Sequence, residues 1–195
     1  PEQIRSLMAG GNDAVFRAKE GAEDDERAGC DAVADLGADD LLIGLSASSV
    51  TRYVQGALSQ ARQQRVRTIL VTCAAAEGLE PQADLVIGLA TGPEVLTGST
   101  RLKAGSATKA VLNAITTAAM VRLGKVYGNL MVDLRPGSAK LQDRALRIIE
   151  AAADVATVRA QELHEAADGN VKIAIVMGKL DIPLDDAKER LENAG

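Results

Sequence analysis

Short unbroken apolar runs separated by longer segments of helical period recur through the first two thirds of the chain. Residues 41–45, 67–72 and 83–90 are rich in Leu, Ile and Val without regular polar alternation, the pattern of strands inside a parallel sheet. Residues 53–64 read as a helix between the first two strands, and a helix running to about residue 36 precedes them. A longer helix is predicted from residue 104 to about 123, with Ala107, Val111, Ala114, Ala118 and Val121 on one face at spacings of three and four. Strands alternating with helices predict an α/β fold with a doubly wound parallel sheet. Residues 4–8 look strand-like, and a short helix over 14–19 is expected after a turn that offers Asn12 or Asp13 as N-cap. Gly124 suits the C′ position of the long helix, and residues 125–134 fit either an extended stretch or a helical turn. Arg135, Pro136 and Gly137 form the clearest breaker. They predict a boundary between a domain over 1–135 and a helical domain over 136–195, in which residues 138–153, 155–167, 171–177 and 184–193 have helical period. Asp181 and Pro183 mark the last turn.

Composition narrows the function classes. The 195 residues are 47% hydrophobic but only 2% aromatic, with one Phe, two Tyr and no Trp, so the core is expected to be aliphatic. No aromatic platform is available for stacking bases, and the net charge of -5 disfavours a nucleic acid partner. An anionic ligand stays compatible, because binding follows the local field of a site. Cys30 and Cys73 are the only cysteines and lack a Cys-x-x-Cys spacing, which predicts two free thiols in a reducing compartment and no metal site. Apolar runs fall well short of the ~20 residues that span a bilayer, and no signal peptide is visible. A soluble, cytoplasmic chain without a membrane partner is expected. The lone His164, in an Ala/Glu-rich helix, reads as a surface or packing residue.

Three stretches carry candidate chemistry. Residues 92–109, GPEVLTGSTRLKAGSATK, run from the end of a strand through small polar residues into a helix start, where unpaired N–H groups and the helix dipole favour an anion. Ser99, Thr100, Ser106 and Thr108 add hydroxyls there, and Arg101, Lys103 and Lys109 add positive charge. A plain capped helix with solvated basic residues fits the same string. Residues 46–51 place Ser46, Ser48, Ser49 and Thr51 between a strand and a helix. That is a second possible phosphate cradle, or an ordinary Ser/Thr turn. Residues 20–26 hold five acidic residues in seven, which suits either a solvated face or the start of a helix. A Ser-His-Asp set, a metal constellation and a dinucleotide fingerprint are all missing from the sequence. Carboxylate acid–base chemistry on an anchored anion is what remains.

Residues 92–109, followed by KVYGNLMVDL over 125–134, resemble the signature of the N-acetylmuramic acid 6-phosphate etherases, sugar-isomerase-type (SIS) proteins related to the glucokinase regulatory proteins. Residues 20–25, EGAEDD, supply a second match, and the resemblance covers nearly the whole chain. It implies an SIS domain with a small C-terminal helical appendage, a sugar-phosphate substrate and a homodimer. The reaction it implies is cleavage of a lactyl ether to N-acetylglucosamine 6-phosphate and D-lactate without a cofactor. It assigns abstraction of the C2 proton to Glu23, and anchoring to Ser46, Ser48, Ser49, Thr51, Ser99, Thr100, Arg101 and Lys103. Glu94 either reaches the ligand or instead caps the helix or pairs with Arg101. The etherase loop usually reads Ser-Ala-Ser-Gly-Arg-Thr-Pro-Tyr. Here Ser49 and Val50 replace Gly-Arg and Arg52 replaces Pro, which alters backbone freedom and removes a charge at that point. The family carries an upstream helical segment, strand, Ser-containing loop and acidic residue, so a chain opening at Pro1 is expected to be a fragment with an incomplete site. The alternative within the fold is a regulator that binds a sugar phosphate without turning it over.

Overall fold

A computed structural model of the chain describes residues 4–78, 82–134 and 136–194. Pro1 and Arg135, both singled out above, lie outside the described residues. The chain divides into two compact units, residues 1–113 and 114–195.

The first unit is built on a three-stranded parallel sheet, ordered β1 (Leu41–Leu45), β2 (Arg67–Thr72) and β3 (Leu85–Gly88). Ile43, Ile69 and Leu85 share one register row, and Leu45, Val71 and Ile87 share another. Helix α2 (Arg52–Gln63) connects β1 to β2. It lays Leu58 and Val54 against Leu42, Leu70, Ala83 and Val86, all aliphatic as the composition requires. Towards the other face, Leu41, Leu45 and Leu85 remain exposed, so the burial expected for these strands is met on the α2 side and incomplete opposite. At the amino ends of β2 and β3, Thr68 and Asp84 bond reciprocally. The Thr68 N–H and hydroxyl each donate to Asp84 Oδ2 at 2.8 Å, and the Asp84 N–H donates back to Thr68 Oγ1 at 3.0 Å. The Thr68 hydroxyl, ahead of its N–H, holds the Asp84 carboxyl below its ordinary pKa.

Helix α1 (Glu26–Ala32) starts at Asp25, whose side chain accepts the Ala28 N–H at 2.9 Å. It crosses α2 at two glycines. A Cβ on Gly29 would lie 2.0 Å from the Tyr53 carbonyl oxygen, and one on Gly56 would lie 2.2 Å from that of Glu26. Only hydrogen fits at either point. The Cys30 thiol donates to the Gly56 carbonyl at 3.3 Å, and Arg52 pairs with Glu26 at 3.2 Å.

Helix α3 (Lys103–Arg122) buries only Ala104. The predicted face of Ala107, Val111, Ala114, Ala118 and Val121 is therefore not buried, and Val121 is 48% exposed. Periodicity marks a face able to be covered, which is a different matter from a covered one. Residues 4–8 form no strand, and Ile4, Leu7 and Met8 are exposed, because no described strand pairs with them. In place of a helix over 14–19 there is a 3₁₀ turn, Asn12–Val15, entered through Gly11 at φ 74.

In the second unit, β4 (Val126–Tyr127) and β5 (Leu130–Met131) form an antiparallel hairpin. It turns at Gly128, φ 58, and Asn129. Residues 125–134 thus form a hairpin, extended on either side of that turn. Helices α4 (Ala139–Ala153), α5 (Thr157–Ala166), α6 (Val171–Leu180) and α7 (Leu184–Asn193) follow. Ile149, Leu163, Val171 and Ala174 centre their core, which Val132 and Leu134 join. Ser138 and Asn170 cap α4 and α6 through their side chains, and Asp154 and Asp181 end the same helices in the left-handed conformation. Among the described residues, no helix is long and apolar enough to cross a membrane.

Candidate functional site

Of the candidate residues, those within 46–51 and 94–103 lie on segments that leave the carboxyl ends of β1 and β3, where open α/β sheets bind ligands. The ladder extends past β1 when the Ser46 N–H donates to the Val71 carbonyl at 3.1 Å. The chain then turns sharply through residues 46–51. The Ser46 hydroxyl donates to Thr51 Oγ1 at 2.8 Å, and the Ser49 N–H donates to the Ser46 carbonyl at 3.3 Å. Ser49 sits in the left-handed region at φ 66, and its hydroxyl donates to the Ser48 carbonyl. Gln55, one turn into α2, fixes the Ser49 carbonyl through its side-chain amide at 3.2 Å. Ser46 and Ser49 are buried, Thr51 is half-buried and Ser48 is exposed. Of the four hydroxyls, that of Ser48 is the most open to a ligand.

The second loop leaves β3 and ends at α3. The Glu94 carboxylate spans its base: Oε1 accepts the Ala104 N–H at 2.9 Å and Oε2 accepts the Lys103 N–H at 3.0 Å. The Ala104 N–H first, joined by the Lys103 N–H and charge, holds the Glu94 carboxyl below its ordinary pKa. The Lys103 ammonium donates to the Thr91 carbonyl at 2.7 Å. The Gly105 N–H bonds to the Thr100 carbonyl and the Ser106 N–H to that of Leu102, each at 3.0 Å. All four leading N–H groups of α3 therefore have internal partners, and the unpaired donors expected there are taken, two of them by Glu94. Ser99, Thr100 and Arg101 stand between the anchors. Ser99 is half-buried, Thr100 and Arg101 are exposed, and Arg101 has no ion pair among the described residues.

Cys73, a free thiol on sequence grounds, joins the two loops. Its N–H donates to the Ala47 carbonyl at 3.0 Å and its carbonyl accepts the Thr91 N–H at 3.3 Å. Its thiol donates to the Ala104 carbonyl at 3.5 Å and lies 3.6 Å from Thr108 Oγ1. The buried Thr72 hydroxyl also donates to the Ala47 carbonyl, at 3.2 Å. The available signal was position, since Thr72 ends the central strand and Cys73 follows it at the level where ligands bind. Glu23 is exposed in a 3₁₀ turn, Ala22–Asp24, that packs against α2. Its link to the loops runs through α2, whose N-terminus follows residues 46–51.

A parallel α/β sheet with hydroxyl-bearing loops at its carboxyl edge is one of the settings in which α/β domains bind ligands, and the SIS domain family profile matches residues 18–118. The chain belongs to the SIS domain family. It is similar along its whole length to proteins named N-acetylmuramic acid 6-phosphate etherase. That of Shouchella clausii is 47% identical over 197 residues, covering 100% of this chain and 66% of the relative. That of Mycolicibacterium smegmatis is 46% identical over 197 residues with the same two coverages. That of Geobacillus thermodenitrificans is 46% identical over 199 residues, again with 100% and 66%. The chain thus spans 66% of the length of each of these relatives.

Proposed function

We propose that the protein acts on N-acetylmuramic acid 6-phosphate as an etherase, releasing D-lactate and leaving N-acetylglucosamine 6-phosphate. In this reading the open-chain C1 aldehyde acidifies the C2 proton, which Glu23 removes. The C3–O bond breaks, lactate departs as its oxygen is protonated, and water then adds hydroxyl to C3 and a proton to C2. Ser48, Ser99, Thr100 and Arg101 hold the sugar phosphate, while Ser46, Ser49, Thr51, Glu94 and Lys103 shape the loops that present them. The observation that carries the proposal is the coupling of two hydroxyl-bearing loops through Cys73 at the carboxyl edge of the sheet. The turn bearing Glu23 packs against the helix that leaves one of them. The names of the similar proteins select the substrate. The same reading makes the protein a homodimer, which sedimentation would check.

The test is D-lactate release from N-acetylmuramic acid 6-phosphate by the protein at the length its gene encodes. Replacing Glu23 with Gln is expected to abolish release while leaving sugar-phosphate affinity within about tenfold, because the change removes a base and keeps the shape. Near-normal turnover by the variant would take the role away from Glu23. Tight sugar-phosphate binding with no lactate release by the unaltered protein would favour a non-catalytic regulator.

A further inference from the structure

We propose that Glu94 is a positioning residue that holds Ser99, Thr100 and Arg101 in the shape that receives the ligand's anionic group, and does not itself touch the ligand. The proposal rests on the sugar-phosphate reading of this site. Both carboxylate oxygens are committed to one task, the N–H groups of Lys103 and Ala104 at 3.0 and 2.9 Å. The Lys103 ammonium ties the far side of the loop to the Thr91 carbonyl at 2.7 Å. Residues 94 and 103 thereby close the loop at its base with charge-assisted bonds, stronger than neutral ones. Within the closed segment, the Ser99 N–H bonds to the Leu96 carbonyl and the Leu102 N–H to the Ser99 carbonyl, at 3.0 and 3.2 Å. Arg101 sits exposed on this framework, with a guanidinium fork suited to a phosphate.

The clamp also decides how the anion is held. A phosphate at the start of α3 would need N–H donors that are already engaged by Glu94 and by the carbonyls of Thr100 and Leu102. Side chains on the loop remain, so Glu94 moves recognition from the helix terminus to Ser99, Thr100 and Arg101. Gln at this position keeps one acceptor and sets an amide donor against the second N–H, whereas Ala removes both acceptors.

The experiment measures affinity for N-acetylglucosamine 6-phosphate across pH, together with amide hydrogen exchange at residues 99–104, in the unaltered protein, Glu94→Gln and Glu94→Ala. Affinity is expected to fall about tenfold or more in Glu94→Ala and less in Glu94→Gln, the scale of losing hydrogen bonds to a charged group. A carboxyl with a lowered folded-state pKa acts above its unfolded pKa, and its contribution is lost as pH falls through the folded value. The unaltered protein should therefore lose affinity in an acid step that Glu94→Gln lacks, a readout that simple loss of fold would not give. Exchange at residues 99–104 should accelerate in Glu94→Ala while the strands of the sheet stay protected. Tighter binding by either variant would overturn the proposal, since it would mean that the carboxylate competes with the ligand. So would unchanged affinity with no acid step in the unaltered protein. If the unaltered protein binds no sugar phosphate, the functional reading fails separately. Exchange then decides the clamp, and unchanged protection in Glu94→Ala overturns it.

Discussion

Ser49 holds a backbone conformation that its side chain opposes. At φ 66 a Cβ crowds the neighbouring carbonyl, at a cost of roughly 1–2 kcal/mol that glycine avoids. The turn nevertheless keeps its bond from the Ser49 N–H to the Ser46 carbonyl, and Gln55 pins the Ser49 carbonyl from α2. Replacing Ser49 with Gly is expected to stabilise the protein by about 1 kcal/mol, raising the melting temperature by about 2–4 °C in a thermal scan. No gain would mean that the buried hydroxyl's bond to the Ser48 carbonyl offsets the strain. The departure from the etherase loop was legible at this position, and so was the need for special backbone freedom. The support from Gln55 was not, because a glutamine on a helix carries no mark of the carbonyl it reaches.

At the scale of elements, the apolar runs located β1 and β2 over residues 41–45 and 67–72, where Leu, Ile and Val concentrate without alternation. The same signal misled at residues 4–8, since a strand needs a partner that a single run cannot reveal. It was also silent on the crossing of α1 and α2, where the determining residues are glycines with no hydropathy to read. Replacing Gly56 with Ala would drive a methyl into the Glu26 carbonyl, 2.2 Å from the ideal Cβ position. The helices must then separate, with an expected loss of about 1–3 kcal/mol in urea denaturation. On the proposed function, lactate release should fall with it, because the turn bearing Glu23 precedes α1 and packs on α2. An unchanged denaturation midpoint would show that the crossing yields without strain.

Across the whole molecule, every candidate site residue lies in the unit of residues 1–113, while the aliphatic cluster around Ile149 belongs to residues 114–195. Ile149 is fully buried. Replacing it with Ala is expected to cost about 2–5 kcal/mol in urea denaturation, without a matching loss of sugar-phosphate affinity in conditions where the variant is folded. An affinity that fell in step with stability would tie that cluster to the ligand site. Within the first unit, the two ends of the sheet have separate duties. Thr68 and Asp84 lock β2 to β3 at the amino end, and residues 46–51 and 91–103 extend from the carboxyl end. A register slip would have to break that reciprocal bond whatever the loops contain. The sheet is therefore a mount whose fittings can be exchanged: new loop sequences could be grafted at the carboxyl end to change what is recognised, with the strands still aligned beneath them.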